Sequence, residues 1–189
     1  DWVQELPSKH TRIMFTLSDD ARLFFNDQRI FGWVKVVDQN GLEKEYSQLG
    51  PDVVNDTFTL PYFAKRLQTR GIPIKQAIMD NLIVCGIGNI YACDALNLAR
   101  INPLRPAKSL KPHEVETLYS AAKSVINLGI ELGGATIEHF TDIDGFGGKY
   151  QEQVLAYGRE GQPCKNCNTP IVKIKLGGRG TYFCPNCQI

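Results

Sequence analysis

Three hydrophobic periodicities succeed one another along this chain. At the start, apolar side chains recur at a spacing of two over 12–17, 21–25 and 31–37, with the turn formers Ser18-Asp19-Asp20 and Asn26-Asp27-Gln28 between the runs. β-Branched and aromatic residues at that spacing predict three strands. Such a sheet cannot stand alone, because a face and its edges stay uncovered. The expectation is the remnant of an N-terminal β-sandwich over 1–50, with preceding chain lying outside the sequence that opens at Asp1. Turn formers around Gly50-Pro51-Asp52 and Asn55-Asp56 then predict a linker over 51–58.

Beyond the linker the spacing becomes helical. Thr59 is placed to cap a short helix through Pro61, Phe63 and Leu67 that stops at Gly71. A helix over 74–82, a Gly86-Ile87-Gly88 turn and a helix over 89–99 follow, then the breakers Asn102-Pro103 and Arg105-Pro106. A long amphipathic helix opens near Pro112, shows Val115, Leu118, Ala122, Val125 and Ile126 on one face, and ends at Gly133-Gly134. Alternation returns at the end: Ile171-Val172-Lys173-Ile174-Lys175-Leu176 and Thr181-Tyr182-Phe183 read as a hairpin broken at Gly177-Gly178-Arg179-Gly180. The fold class is α+β: a β-sandwich remnant, a helical domain over 59–140, a connector over 141–158 and a small hairpin unit over 159–189.

Cysteine spacing gives that last unit a chemistry. Cys164-x-x-Cys167 and Cys184-x-x-Cys187 flank sixteen residues, a spacing that folds two thiolate pairs around one tetrahedral zinc. Metal binding would supply most of the folding free energy of so small a piece, on the order of 10 kcal/mol. Two disulfides are the alternative, disfavoured by Cys85 and Cys93 standing in an apolar stretch and by the lack of a visible signal peptide. From Lys149 onward, Lys149, Arg159, Lys165, Lys173, Lys175 and Arg179 face only Glu152 and Glu160. Such a basic face suits phosphate, although whole-chain counts of 21 Lys+Arg and 20 Asp+Glu conceal it. With 189 residues, 43% hydrophobic and 22% charged, the chain reads as an ordinary globular protein. Since no apolar run reaches membrane length, the expected compartment is the cytoplasm.

The turn before the second helix of the middle domain is a second candidate site. Glycines at 86 and 88 leave backbone amides exposed at a helix N-terminus, where the dipole favours phosphate, and Asn89 adds a neutral donor. Such a site grips backbone rather than base sequence.

Several separate motifs then resemble one family. Phe25-Asn26-Asp27-x-Arg29-x-Phe31-Gly32, Met79-Asp80-Asn81 with Gly86-Ile87-Gly88-Asn89-Ile90-Tyr91-Ala92, Tyr157-Gly158-Arg159-Glu160-Gly161-Gln162-Pro163-Cys164 and Gly177-Gly178-Arg179 are similar, in this order, to the bacterial formamidopyrimidine-DNA glycosylases. The resemblance spans nearly the whole chain. It implies excision of oxidised purines such as 8-oxoguanine from duplex DNA, with strand cleavage by β- and δ-elimination, one structural zinc, and a monomer. By the same resemblance, Asn89 and Arg179 clamp the phosphates flanking the damaged nucleotide. Arg29 and Phe31 fill the gap left by the flipped base, Lys75 assists on the active-site face, and the loop over 141–153, with Lys149 and Tyr150, closes over the lesion. Taken alone, these residue types also fit strand core at Phe31 and Trp33, a solvated turn at Arg29, a helix-surface charge at Lys75 and a glycine linker.

Departures from the family pattern accompany the likeness. Ile30 stands where the family has a second arginine, and Asp94 where glutamate is usual. The family's nucleophile is an N-terminal proline followed by a glutamate, and Asp1-Trp2-Val3 match neither. No catalytic residue is therefore assigned within this chain beyond an assisting Lys75, and the chain by itself is expected to be inactive. A noncatalytic zinc-finger DNA-binding module and an endonuclease VIII-like enzyme for oxidised pyrimidines remain the alternatives. Arg29-x-Phe31 and the long loop favour the purine branch.

Overall fold

Alternation at the start of the chain becomes a hairpin of two strands, β1 (Thr11–Thr16) and β2 (Arg22–Asn26), paired antiparallel with a bulge between Thr11 and Ile13. The computed structural model describes residues 6–136 and 147–189. The third predicted strand, over 31–37, does not form. Asp27 intercepts the backbone there: its carboxylate accepts from the amides of Arg29 at 3.0 Å and Ile30 at 2.9 Å, and also from Gly32. Ile30 takes a left-handed φ of 58°, which no strand tolerates. Residues 31–38 then run to helix α1 (Gln39–Ser47), exposed except for half-buried Val37.

Packing divides the chain into two units, Asp1–Glu43 and Lys44–Ile189. In the second, residues 51–58 are anchored rather than acting as a free linker. The Cys85 amide donates to the Pro51 carbonyl at 2.9 Å and the Val53 amide to the Cys85 carbonyl at 3.2 Å. Val53 and Phe58 enter the core. The turn formers thus curve a packed segment along 81–85.

Helix α2 (Leu60–Gln68) starts where sequence places it, with the Thr59 hydroxyl accepting from the Tyr62 amide and Pro61 in the first turn. Helix α3 (Ile74–Ile78) is shorter than the predicted 74–82, because Asp80 turns the chain. Its carbonyl accepts from the amides of Ile83 and Val84, and its carboxylate from that of Leu82. Helices α4 (Asn89–Leu98) and α5 (Pro112–Glu131) then pack on each other, with Ala92, Ala95 and Leu96 against the apolar face of α5. Glu114 reaches back to the Lys111 amide at 2.7 Å and closes the N-terminus of α5. Phe58, Phe63 and Tyr119 form an aromatic cluster joining α2 to α5, where the Tyr119 hydroxyl donates to the Phe58 carbonyl at 2.9 Å.

The C-terminal hairpin pairs β3 (Val172–Leu176) with β4 (Arg179–Phe183) in register from Val172↔Phe183 to Leu176↔Arg179. Its turn is only Gly177-Gly178, both at positive φ of 57° and 77°, so Arg179 and Gly180 belong to the strand. Ala156, Ile171, Cys164 and Cys184 form its separate small core. Among the described residues no helix is long and apolar enough to cross a membrane.

Candidate metal centre and nucleic-acid interface

The two cysteine knuckles converge. All four Sγ atoms of Cys164, Cys167, Cys184 and Cys187 lie within 4.8 Å of one another, with Cys167 to Cys184 at 3.5 Å and Cys164 to Cys187 at 4.0 Å. Tetrahedral thiolates about 2.3 Å from a zinc ion sit about 3.8 Å apart, so the cluster fits one metal and leaves no open position. All six cysteines are free thiols, which replaces the two-disulfide alternative. The amides of Asn166 and Cys187 donate to the sulfurs of Cys164 and Cys184, each at 3.4 Å. Contact with its neighbours, first Cys167, pushes the Cys187 thiol up to about 12, while Thr169 first among its partners draws Cys167 down to about 5. Zinc therefore has to displace protons from part of this set.

Strand β4 is docked on the helices by buried polar contacts. Lys75 on α3 is only 2% exposed, which overturns the helix-surface alternative. Its ammonium donates to Asn89 Oδ1 at 2.5 Å, Thr181 Oγ1 at 2.7 Å and the Gly180 carbonyl at 3.1 Å. Burial first, and the Arg179 guanidinium further, lower its pKa against an opposing effect of Cys93. Its three hydrogens are thus directed at three protein acceptors. Asn89 Nδ2 donates to the same Gly180 carbonyl at 3.1 Å. Farther along α4, Asn97 donates to Gln188 Oε1 at 2.9 Å, the Cys184 amide to the same oxygen at 2.8 Å, and Gln188 Nε2 to the Ile101 carbonyl at 2.9 Å. Gln188 had no assigned role in the sequence; its only signal was its place beside the last ligand.

These contacts bring Asn89 and Arg179 together. Asn89 opens α4 directly after Gly88, which provides no side-chain cap, and Arg179 is exposed next to the Gly180 that Asn89 holds. Gly86 turns at a φ of 94°, and a Cβ added at Gly88 would meet only open space. Among the described residues the amides of Asn89, Ile90 and Tyr91 have no protein acceptor. An exposed arginine thus adjoins the glycine that Asn89 holds, next to the free N–H groups at a helix N-terminus.

The other predicted residues divide. In the unit Asp1–Glu43, Arg29 lies over the Phe31 ring at 5.4 Å, and Phe31 is 78% exposed rather than strand core. Trp33 and Ile30 are also exposed. Lys149 is exposed, and its amide donates to the Leu132 carbonyl at 2.8 Å. Tyr150, expected to face DNA, is instead 1% exposed, stacks edge-on against Tyr91 at 4.7 Å and donates its hydroxyl to Asp94 at 3.1 Å. Asp94 is wholly buried and also accepts from the amides of Leu155, Ala156 and Tyr157 at 2.9 to 3.2 Å. Burial raises its pKa against those donors. Of the loop over 141–153, residues 141–146 lie outside the described residues. Gly148 sits so close to Gly133 and Gly134 that a Cβ would meet the Gly134 carbonyl at 2.1 Å.

Residues 49–141 match the formamidopyrimidine-DNA glycosylase H2TH domain, and residues 161–189 the zinc finger found in Fpg and isoleucyl-tRNA synthetase (IleRS). A formamidopyrimidine-DNA glycosylase of Pelotomaculum thermopropionicum is 41% identical over 187 residues, 98% of this chain and 68% of the relative. The chain belongs to the formamidopyrimidine-DNA glycosylase family. A family member from Rickettsia africae is 43% identical over 181 residues, covering 95% of this chain and 66% of its own length. This chain thus spans about two thirds of the length of the curated relatives it matches. The crystal structure of the MutM (Fpg) protein of Thermus thermophilus superposes with a TM-score of 0.85 at 38% identity, covering 96% of this chain and 70% of that one. Lactococcus lactis Fpg, solved in complex with an abasic site containing DNA, gives 0.86 at 29% identity over 98% and 69%. The paired cysteines thus lie within the family's zinc finger, and Gly86 to Asn89 within its H2TH domain.

Proposed function

We propose that this chain is the DNA-gripping and lesion-recognising portion of a base-excision repair glycosylase that removes oxidised purines, 8-oxoguanine and formamidopyrimidines, from duplex DNA. The observation that supports this reading is the junction at Gly180, where the Asn89 amide at the start of α4 holds the strand residue next to exposed Arg179. Backbone phosphate is the ligand of that chemistry. Arg29 and Phe31 form the lesion-reading element: a guanidinium for the orphaned base and an aromatic wedge for the gap. Lys149 adds a basic contact beside the loop. The zinc is structural, because four thiolates leave it no position for water or substrate. Base removal and the lyase steps belong to the whole protein, since this chain spans about two thirds of its curated relatives. The protein works as a cytoplasmic monomer.

Two measurements test the reading. The zinc-loaded 189-residue chain should bind duplex DNA, and bind 8-oxoguanine or abasic duplexes more tightly than undamaged ones. Borohydride should trap no covalent adduct with abasic or 8-oxoguanine DNA, since trapping requires an imine at the sugar C1′. A trapped adduct at a defined residue would place the nucleophile inside this chain. A preference for oxidised pyrimidines would move the protein to the endonuclease VIII-like branch, and binding blind to any lesion would leave only a phosphate-binding module.

A further inference from the structure

Lys75 poses an electrostatic problem that the grip on DNA resolves. Its ammonium is taken out of water at 2% exposure, and among the described residues no carboxylate pairs with it. Burying a charge without an opposite charge is unfavourable even when every hydrogen finds an acceptor. Here the acceptors are all neutral: Asn89 Oδ1 at 2.5 Å, Thr181 Oγ1 at 2.7 Å and the Gly180 carbonyl at 3.1 Å. Its titratable neighbours, Cys93 and Arg179, act on it in opposite directions. Burial raises the pKa of the Cys93 thiol while Lys75 draws it down, and the Arg179 guanidinium adds a second positive charge. The free amides at the start of α4 add the positive end of a helix dipole. This junction gathers positive potential, and among the described residues no carboxylate pairs with it.

The same ammonium also fixes geometry. An asparagine amide can present either its oxygen or its nitrogen to a given neighbour. Lys75 can only donate, so it selects Oδ1, and Nδ2 then points one hydrogen at Gly180 and keeps its second free. Through Gly180 and Thr181 it holds β4 in place, and with it Arg179, whose position in sequence is more than a hundred residues from Lys75. We propose that Lys75 is a positioning residue of the phosphate grip: it fuses Asn89 and Arg179 into one unit and takes the bound DNA phosphate as its missing counter-charge. This rests on the DNA-binding reading above and adds to it a residue that makes no direct contact with DNA.

The test compares the zinc-loaded chain with Lys75→Met, Asn89→Ala and the double variant, binding undamaged duplex DNA across a salt series. Lys75→Met should weaken binding about 10- to 100-fold and reduce the salt slope by about one unit. Adding Asn89→Ala to it should cost little more, because the first change already releases the amide. Equal binding and slope in Lys75→Met, or fully additive losses, would overturn the assignment while leaving the DNA reading intact. Failure of the wild-type chain to bind any duplex would overturn both. If Lys75→Met does not fold, the wild-type chain decides: the Lys75 ammonium resonance, followed by nitrogen-15 NMR, should shift when duplex DNA is added. An unchanged resonance at saturating DNA overturns the proposal.

Discussion

Single residues in this chain act through what holds them. Asp27 is the clearest case, since its carboxylate collects three amides and so projects Arg29 and Phe31 outward. The Gly32 amide first, and those of Ile30 and Arg29 with it, keep its carboxyl below the ordinary aspartate value of 3.8. A carboxyl depressed in the folded state stabilises at pH values above its unfolded pKa, and that contribution is lost as pH falls through the lower folded value. The turn should therefore stay ordered above about pH 4 and loosen in stronger acid. The amide resonances of Arg29, Ile30 and Gly32 should move together with a midpoint below 3.8; a midpoint above it contradicts the geometry. For the phosphate grip, Asn89→Ala and Arg179→Ala should each weaken binding about tenfold on damaged and undamaged duplexes alike. Arg179→Ala should also flatten the salt dependence by about one unit. Losses confined to lesion-bearing DNA would refute these roles.

Elements of the second unit depend on close approach more than on propensity. Gly129 stands inside α5, where alanine normally favours a helix by about 1 kcal/mol. Yet a Cβ at Gly129 would meet the Tyr91 hydroxyl at 2.5 Å and the edge of its ring at 2.7 Å. Tyr91 lies two residues after Asn89, so the contact sets the seating of α4 and of the grip it opens. Gly129→Ala should destabilise by about 1–3 kcal/mol through overpacking, against its helix propensity. Urea unfolding of the zinc-loaded chain measures this, and a stabilised variant would show that Tyr91 has room to move. Asp94 joins elements in the same manner: its carboxylate gathers the Tyr150 hydroxyl and three amides of 155–157, and so ties α4 to the segment that leads into the zinc finger.

At the scale of the molecule, zinc and α4 together organise the end that carries the proposed phosphate grip. The hairpin has a core of a few residues, so without metal nothing of its own size holds it folded. Chelation, or Cys184→Ser, should unfold the hairpin, release Gly180 and Thr181 from Lys75, and weaken binding to every duplex. Circular dichroism and a binding titration on the chelated sample check this, and normal DNA affinity without zinc would contradict it. The metal knuckles, the helix starts and the glycine turn were legible in the sequence because each is a local signal: ligand spacing, a capping residue, a backbone conformation that only glycine adopts easily. The third strand was misread because a run of β formers is silent about whether a partner edge exists, and Asp27 redirects that backbone through its side chain. Tyr150 was misassigned and Gln188 missed for a related reason. Sequence by itself determined which residues were polar and how they were spaced. Only the tertiary structure decided that Lys75 and Tyr150 are buried, because burial depends on what distant segments bring to the same place, here α4 and a strand lying some ninety residues farther along the chain.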